Sequence, residues 1–273
     1  MTSKAKYVLD NAAEQTSARF AALPSLYDPG TIRHLVQLGV GAGWRCLEIG
    51  GGGGSIAAWL CDRVGPTGQV LATDVDTRFL ERLRRPNLEV RRHDIASDPL
   101  PHRAFNLVHL RLVLMHLPQR DQVLERLAGA LRPGGWQLAE EFDSLSMPPD
   151  PSVNPAETLL KSDLAMREVM AAGGVDLRYG RFLPARLRAL GLADVDGEGR
   201  VPLWRGRAAG GALLRTNFEQ LRDAILATGR VTAEEFERDL ARLDDEAFMR
   251  PSSVMWAAWG RRPRPSASRR TRR

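Results

Sequence analysis

The sequence predicts an α/β fold, a doubly wound and mostly parallel sheet with helices on both faces. Three observations carry this. Residues 45–54 read Arg-Cys-Leu-Glu-Ile followed by five glycines, and helical periodicity resumes at Ser55. A strand entering such a run can turn sharply and bring its backbone close to a ligand, because glycine lacks Cβ and accepts positive φ. Further on, short apolar segments end in acids and alternate with helical stretches at the spacing of βαβ units.

In order along the chain, a helix is expected from about Asn11 to Leu23, stopped by Pro24. Asp28-Pro29-Gly30-Thr31 reads as an N-cap with proline at the first helical position, opening a second helix through Leu38 with Gly39 as its stop. After the first strand and glycine turn, strands are expected at Gln69–Thr73 ending at Asp74, Leu88–His93 ending at Asp94, Phe105–Leu110, and Trp136–Glu140. A helix around Arg120–Leu131 precedes the last of these. Beyond Phe142 comes a proline-rich connection, then helices over 156–172 and 183–190 and a strand within 193–204. Thr232-Ala-Glu-Glu235 is a capping box with Val231 and Phe236 at the staple positions, so a helix should run from Ala233 to Leu243. Ser252–Trp259 is a final strand candidate. The expected organisation is an N-terminal helical cap (1–40), a core (41–144), lid helices with strands that complete the sheet (145–260), and a disordered arginine-rich tail (261–273).

Composition narrows the class. At 273 residues and 43% hydrophobic the chain can bury a full core. No run reaches the ~18 apolar residues of a membrane span, and none near Met1 resembles a signal peptide, so a cytoplasmic protein without membrane attachment is expected. Cys46 and Cys61 have neither disulfide-framework nor metal spacing and read as core; no metal is expected. The net charge of +6 is local, because residues 261–273 hold seven arginines and no acid. A nucleic-acid partner is therefore not expected, although the tail keeps RNA binding as an alternative.

Gly52, Gly54 and Ala57 satisfy the letters of a dinucleotide fingerprint. However, Glu48 places a carboxylate two residues before the first glycine, where a pyrophosphate would want unopposed N–H groups. A cationic ligand suits that acid better, and S-adenosylmethionine carries an ammonium and a sulfonium with no phosphate. A P-loop is excluded, since no Gly-Lys-Ser/Thr follows.

With these residues the chain resembles the class I S-adenosylmethionine-dependent methyltransferases of Rossmann-like fold, in particular the small-molecule enzymes related to quinone and natural-product methyltransferases. The resemblance covers residues 44–142 well and the rest loosely. Glu48, Gly50, Gly52 and Gly54 are similar to the family's first motif, and Leu131-Arg-Pro-Gly-Gly135 to its L-x-P-G-G turn. The resemblance implies that Asp74 binds the ribose hydroxyls with Val75 beside it, that Asp94 and Ile95 meet the adenine, and that Leu110 and Arg111 lie at the cofactor. It departs at Asn106, where the family often has Asp.

Methyl transfer is an in-line displacement for which the protein chiefly aligns donor and acceptor. His116, His109 and Glu140 are the candidates for a general base, with Glu141 a further one; Arg111 could instead hold an anionic group. The expected acceptor is a small hydrophobic or aromatic metabolite, methylated at O, N or C, under a lid formed by the N-terminal helices and residues 145–232, where Tyr7, Phe20, Tyr27, Met147, Met166, Met170, Tyr179 and Trp204 give apolar reach. Cyclisation or decarboxylation on the same fold, RNA modification, and an NAD enzyme are the alternatives; the oligomeric state is left open.

Overall fold

The computed structural model describes residues 16–146 and 160–265. A seven-stranded sheet runs in the order β3-β2-β1-β4-β5-β9-β6. Its strands are β1 (Arg45–Ile49), β2 (Gln69–Asp74), β3 (Leu88–Arg92), β4 (Phe105–Arg111), β5 (Leu131–Asp143), β6 (Ala193–Arg200) and β9 (Val254–Arg261). The first five are mutually parallel, and β9 lies antiparallel between β5 and β6. β1 and β4 are buried apolar runs, as expected of strands covered on both faces.

Helices α1 (Thr16–Gln37) and α2 (Ser55–Val64) cover one face, packing Leu35, Leu38, Ile56 and Leu60 on Cys46, Leu107 and Leu138. On the other face, α3 (Arg120–Ala130) and α5 (Tyr179–Ala189) pack Leu124, Leu127, Leu183 and Leu187 on Leu47, Val108 and Ala139. A second core joins α4 (Lys161–Ala172), α6 (Ala209–Gln220), α7 (Arg222–Ala227) and α8 (Ala233–Leu243) to Ala22 and Tyr27 of α1. A two-stranded ribbon of β7 (Leu203–Arg205) and β8 (Met249–Pro251) lies in this layer and contributes Trp204. Helix α8 has the capping box and the expected bounds: Thr232 Oγ1 accepts from Glu235 N–H, and Glu235 accepts from Thr232 N–H.

Three expectations are corrected. A single helix runs unbroken from Thr16 to Gln37 through Pro24 and Pro29. Each interior proline costs about 3 kcal/mol by propensity, but burial of Ala22 and Tyr27 on one side and Leu35 on the other outweighs that local preference. The turn at 131–135 is drawn into a longer β5, with the register shift against β4 between Phe105 and Leu107. The start of the tail is ordered: Arg261 ends β9, and Arg262 Nη1 donates to the carbonyls of Ala128, Gly129 and Leu131. Residues 1–15, 147–159 and 266–273, with the expected helix start at 11 and the stretch 156–159, lie outside the described residues. Among the described residues, no helix is long and apolar enough to cross a membrane.

Candidate functional site

The glycine turn between β1 and α2 is held from three sides. Gly50, Gly52 and Gly54 have φ of +64°, +50° and +85°, where an L side chain is strained. A Cβ on Gly50 would lie 2.4 Å from Val113 Cγ2, and one on Gly54 2.6 Å from Leu83 Cδ1. Gly53 lies against Phe20 of α1, with 3.2 Å from an added Cβ to the Phe20 Cβ, and Phe20 also meets Gly52. The loop therefore has no room for a side chain at Gly50 or Gly54 without a shift of Val113 or Leu83.

Asp74, at the end of β2, accepts from Gly52 N–H at 2.9 Å and from Asp76 N–H at 3.0 Å. Burial pushes its carboxyl above the usual range, against the pull of those backbone donors. Val75 follows with its side chain 52% exposed, unusual for an apolar residue at the end of a buried strand. Asp94 closes a tight turn after β3, accepting from Ala96 N–H at 2.9 Å and donating its own N–H to Asp98 at 2.9 Å. Ile95 is buried in the core, and its carbonyl accepts from Arg126. The turn, Asp74, Val75 and the Asp94 loop all stand at the carboxyl ends of adjacent strands, the edge at which open α/β sheets bind ligands.

A buried ionic cluster lies beneath α1 on the same edge. Glu48 on β1, His109 on β4 and Glu140 on β5 project from one face of neighbouring strands. His109 Nδ1 is 2.6 Å from Glu48 Oε2, and its Nε2 is 3.2 Å from Glu140 Oε2. Burial alone would lower the basicity of this ring, but the two carboxylates lift its pKa to about 9, so it is an imidazolium at neutral pH. Glu140 also accepts from the Thr31 hydroxyl and lies 3.5 Å from His34 Nδ1. Burial opposes its charge, but His109, His34 and the nearby Arg111 hold it well below the usual carboxylate range. Arg111, one turn of the pleat beyond His109, donates to Thr31 at 2.9 Å and to Asp28 at 2.8 Å. Asp28 and Thr31, read from sequence as a helix start, are thus the anchors of α1 to the sheet.

These placements revise the catalytic candidates. His109 has no exposed surface and both nitrogens face carboxylates, so it presents no free lone pair to an acceptor. Glu140 is equally enclosed. His116 ends a 3-10 turn, Leu114–His116, and burial, with Arg19 and Arg120 nearby, pushes its pKa down to about 3, which makes it a weak base. Glu141 is fully buried and accepts from the N–H groups of Val113 at 2.9 Å, Leu114 at 2.6 Å and Met115 at 3.4 Å. Its burial pushes the pKa up to about 8 despite those donors. The Glu141 carboxyl fastens the turn after β4, where Leu112 takes φ +58° and Val113 packs on Gly50. Leu110 points into the core away from that edge.

Sequence reasoning missed Phe20 as the cover of the glycine turn and Thr31, His34 and Asp28 as partners of the strand-end charges. A signal was available: Glu48, His109 and Glu140 each interrupt a buried strand on the face defined by Cys46, Leu107 and Leu138.

Comparison with known proteins agrees with this arrangement. Residues 47–137 match the family model described as a methyltransferase domain. Ubiquinone/menaquinone biosynthesis C-methyltransferase UbiE of Pseudomonas putida is 35% identical over 119 residues, 40% of this chain and 46% of the relative. Methyltransferase str2 of Strobilurus tenacellus is 31% identical over 157 residues, 57% and 55% of the two chains. The chain spans about half the length of the curated relatives it matches. Among solved structures, phosphoethanolamine N-methyltransferase 2 of Haemonchus contortus, in complex with phosphomonomethylethanolamine and S-adenosylhomocysteine, has a TM-score of 0.62 at 17% identity, covering 97% of this chain and 61% of that one. A putative methyltransferase from Bacillus halodurans has a TM-score of 0.56 at 15% identity, covering 86% and 99%. These structures share the fold. Residues 47–137 thus match a methyltransferase domain, and the strand order around the glycine turn is the fold those solved structures share.

Proposed function

We propose that the chain is an S-adenosylmethionine-dependent methyltransferase acting on a small, apolar or aromatic metabolite. The observation that carries this reading is the glycine turn tied through Gly52 N–H to Asp74 within a methyltransferase domain. The residues present fit the cofactor. Three positive-φ glycines leave a cradle that side chains would fill, and Asp74 supplies a carboxylate for vicinal hydroxyls. Val75 offers an exposed apolar surface beside it, and Asp94 an acceptor on the next strand. Two carboxylates against one imidazolium leave the Glu48–His109–Glu140 trio net negative, which suits a cationic ligand at that edge. When bound, S-adenosylmethionine supplies a methyl group already activated on sulfonium.

What this chain contributes is alignment and exclusion of water. Phe20 covers the glycine turn, while Tyr27, Phe142 and Trp204 form an apolar wall where α1 meets the lid, Tyr27 packing edge-on to Phe142 at 5.6 Å. His109, His116 and Glu140 are poor bases as placed, so the reading favours an acceptor that reacts in a form already nucleophilic at neutral pH. Methylation at carbon, which the name of the Pseudomonas relative states for that protein, is one such chemistry.

Calorimetry with S-adenosylmethionine and with NAD, then mass spectrometry for a methylated product after incubation with labelled cofactor and metabolite extract, tests the proposal. Binding of S-adenosylmethionine that weakens about tenfold or more in Asp74→Ala is expected. Binding of NAD with no binding of S-adenosylmethionine overturns it.

A further inference from the structure

We propose that His109 is a positioning residue, a charged tie that joins the glycine turn to the helix closing over it. The inference rests on the methyltransferase reading above for its functional consequence, and on geometry for the tie itself. Glu48 leads directly into Gly50, so whatever fixes its carboxylate fixes the start of the turn. Glu140 receives the Thr31 hydroxyl from α1 and faces His34 of the same helix. The imidazole sits between these two acids with one nitrogen on each, and only its doubly protonated form donates to both. Three turns earlier, the same helix lays Phe20 on Gly52 and Gly53. The turn is thus held from beneath through Glu48 and covered from above through α1, with one ring connecting both.

Stability does not account for such a group. A buried ion pair exchanged for apolar side chains of like volume is often neutral or stabilising, and Cys46, Leu107 and Leu138 on the same face show that it packs apolar side chains readily. What an imidazolium between acids supplies is a fixed relation among three strands and a helix. The second fastening, Arg111 to Asp28 and Thr31, acts on the same stretch of α1 and leaves the glycine turn untouched. Among the described residues, His109 is the side chain that contacts both Glu48, ahead of the turn, and Glu140, the acceptor of Thr31.

The test is amide hydrogen exchange of α1 and α3 in the full chain, with calorimetric titration of S-adenosylmethionine, for His109→Gln and Thr31→Val. His109→Gln keeps one donor and loses the charge; Thr31→Val removes the helix-side contact and leaves the imidazolium. Both variants are expected to lower protection of α1 amides about tenfold or more while α3, on the opposite face, keeps its protection. Both should weaken S-adenosylmethionine about fivefold or more. Wild-type α1 protection should also fall from pH 7 to 10, in the field of Glu48, Glu140, Thr31, His34 and Arg111, and His109→Gln should abolish that dependence. Equal loss at α1 and α3, or no change at α1 in either variant, overturns the tie. If wild-type protein binds no S-adenosylmethionine but α1 responds as stated, the tie stands and the proposed function fails. Should His109→Gln not fold, Thr31→Val and the wild-type pH series decide.

Discussion

At the scale of single residues, the site is governed by which charges are already spent. His109, expected as a base, has its folded pKa raised to about 9 by two acids, against about 6.5 for an unfolded histidine. Its stabilisation is complete below about pH 6.5 and is lost as pH rises through about 9. Glu141, raised to about 8, contributes stability that is complete below about pH 4.5 and is lost as pH rises through about 8. Chemical denaturation should therefore show stability falling between pH 7 and 9.5, by on the order of 3 kcal/mol, with His109→Gln removing most of the fall above pH 8 and leaving the Glu141 part below it. His116, pushed down to about 3, stays neutral through the working range. His116→Asn should keep turnover within about threefold and leave the pH-rate profile between 5 and 8 unchanged. Glu141→Ala should lower stability by about 2–4 kcal/mol, because it strands the N–H groups of Val113, Leu114 and Met115; Glu141→Gln should lower it less, read from urea midpoints.

At the scale of elements, helix α1 shows where local and tertiary preferences part. Pro24 and Pro29 read as stops, and a chain judged by propensity alone breaks there. The helix persists because its faces are claimed twice, by the sheet through Leu35 and Leu38 and by the lid core through Ala22 and Tyr27. Pro24→Ala should accordingly stabilise the protein by about 1–3 kcal/mol in denaturant unfolding, since the native backbone is already helical there. Strands β1 to β5 were legible because each couples an apolar run to a turn signal or a terminal acid, and α8 because its capping box is local. Helix α6 was not legible: Gly210 and Gly211 open it, and they are there because added side chains would strike Trp204 and the Arg205 carbonyl, contacts no periodicity reveals. The glycine turn with Asp74 could be read from spacing. The partnership of His109 with residues 61 and 31 positions away in sequence could not, because it follows from strand order.

At the scale of the whole molecule, two cores share α1, so the helices of residues 161–243 and the sheet meet along one helix. The sheet is closed by β9, which pairs with β5 over Trp136–Asp143 and with β6 over Ala193–Arg200. Trp259 on this strand stacks against His34 at 5.1 Å, joining it to the ionic cluster as well. Deletion of residues 254–265 should thus abolish cooperative unfolding by calorimetry, whereas Arg262→Ala, which frees three carbonyls at the base of α3 and β5, should cost about 1–3 kcal/mol.

That placement has a consequence for biosynthesis. β9 lies between β5 and β6 in the sheet and is the last of the seven strands in chain order. While it is still in the ribosome, β5 and β6 each offer an unpaired backbone edge, one flanked by Trp136 and the other half-exposed along its length. The nascent protein therefore passes through an interval in which its sheet is two open pieces, and its yield on expression should depend on how well that interval is chaperoned, more than on the stability of the finished fold.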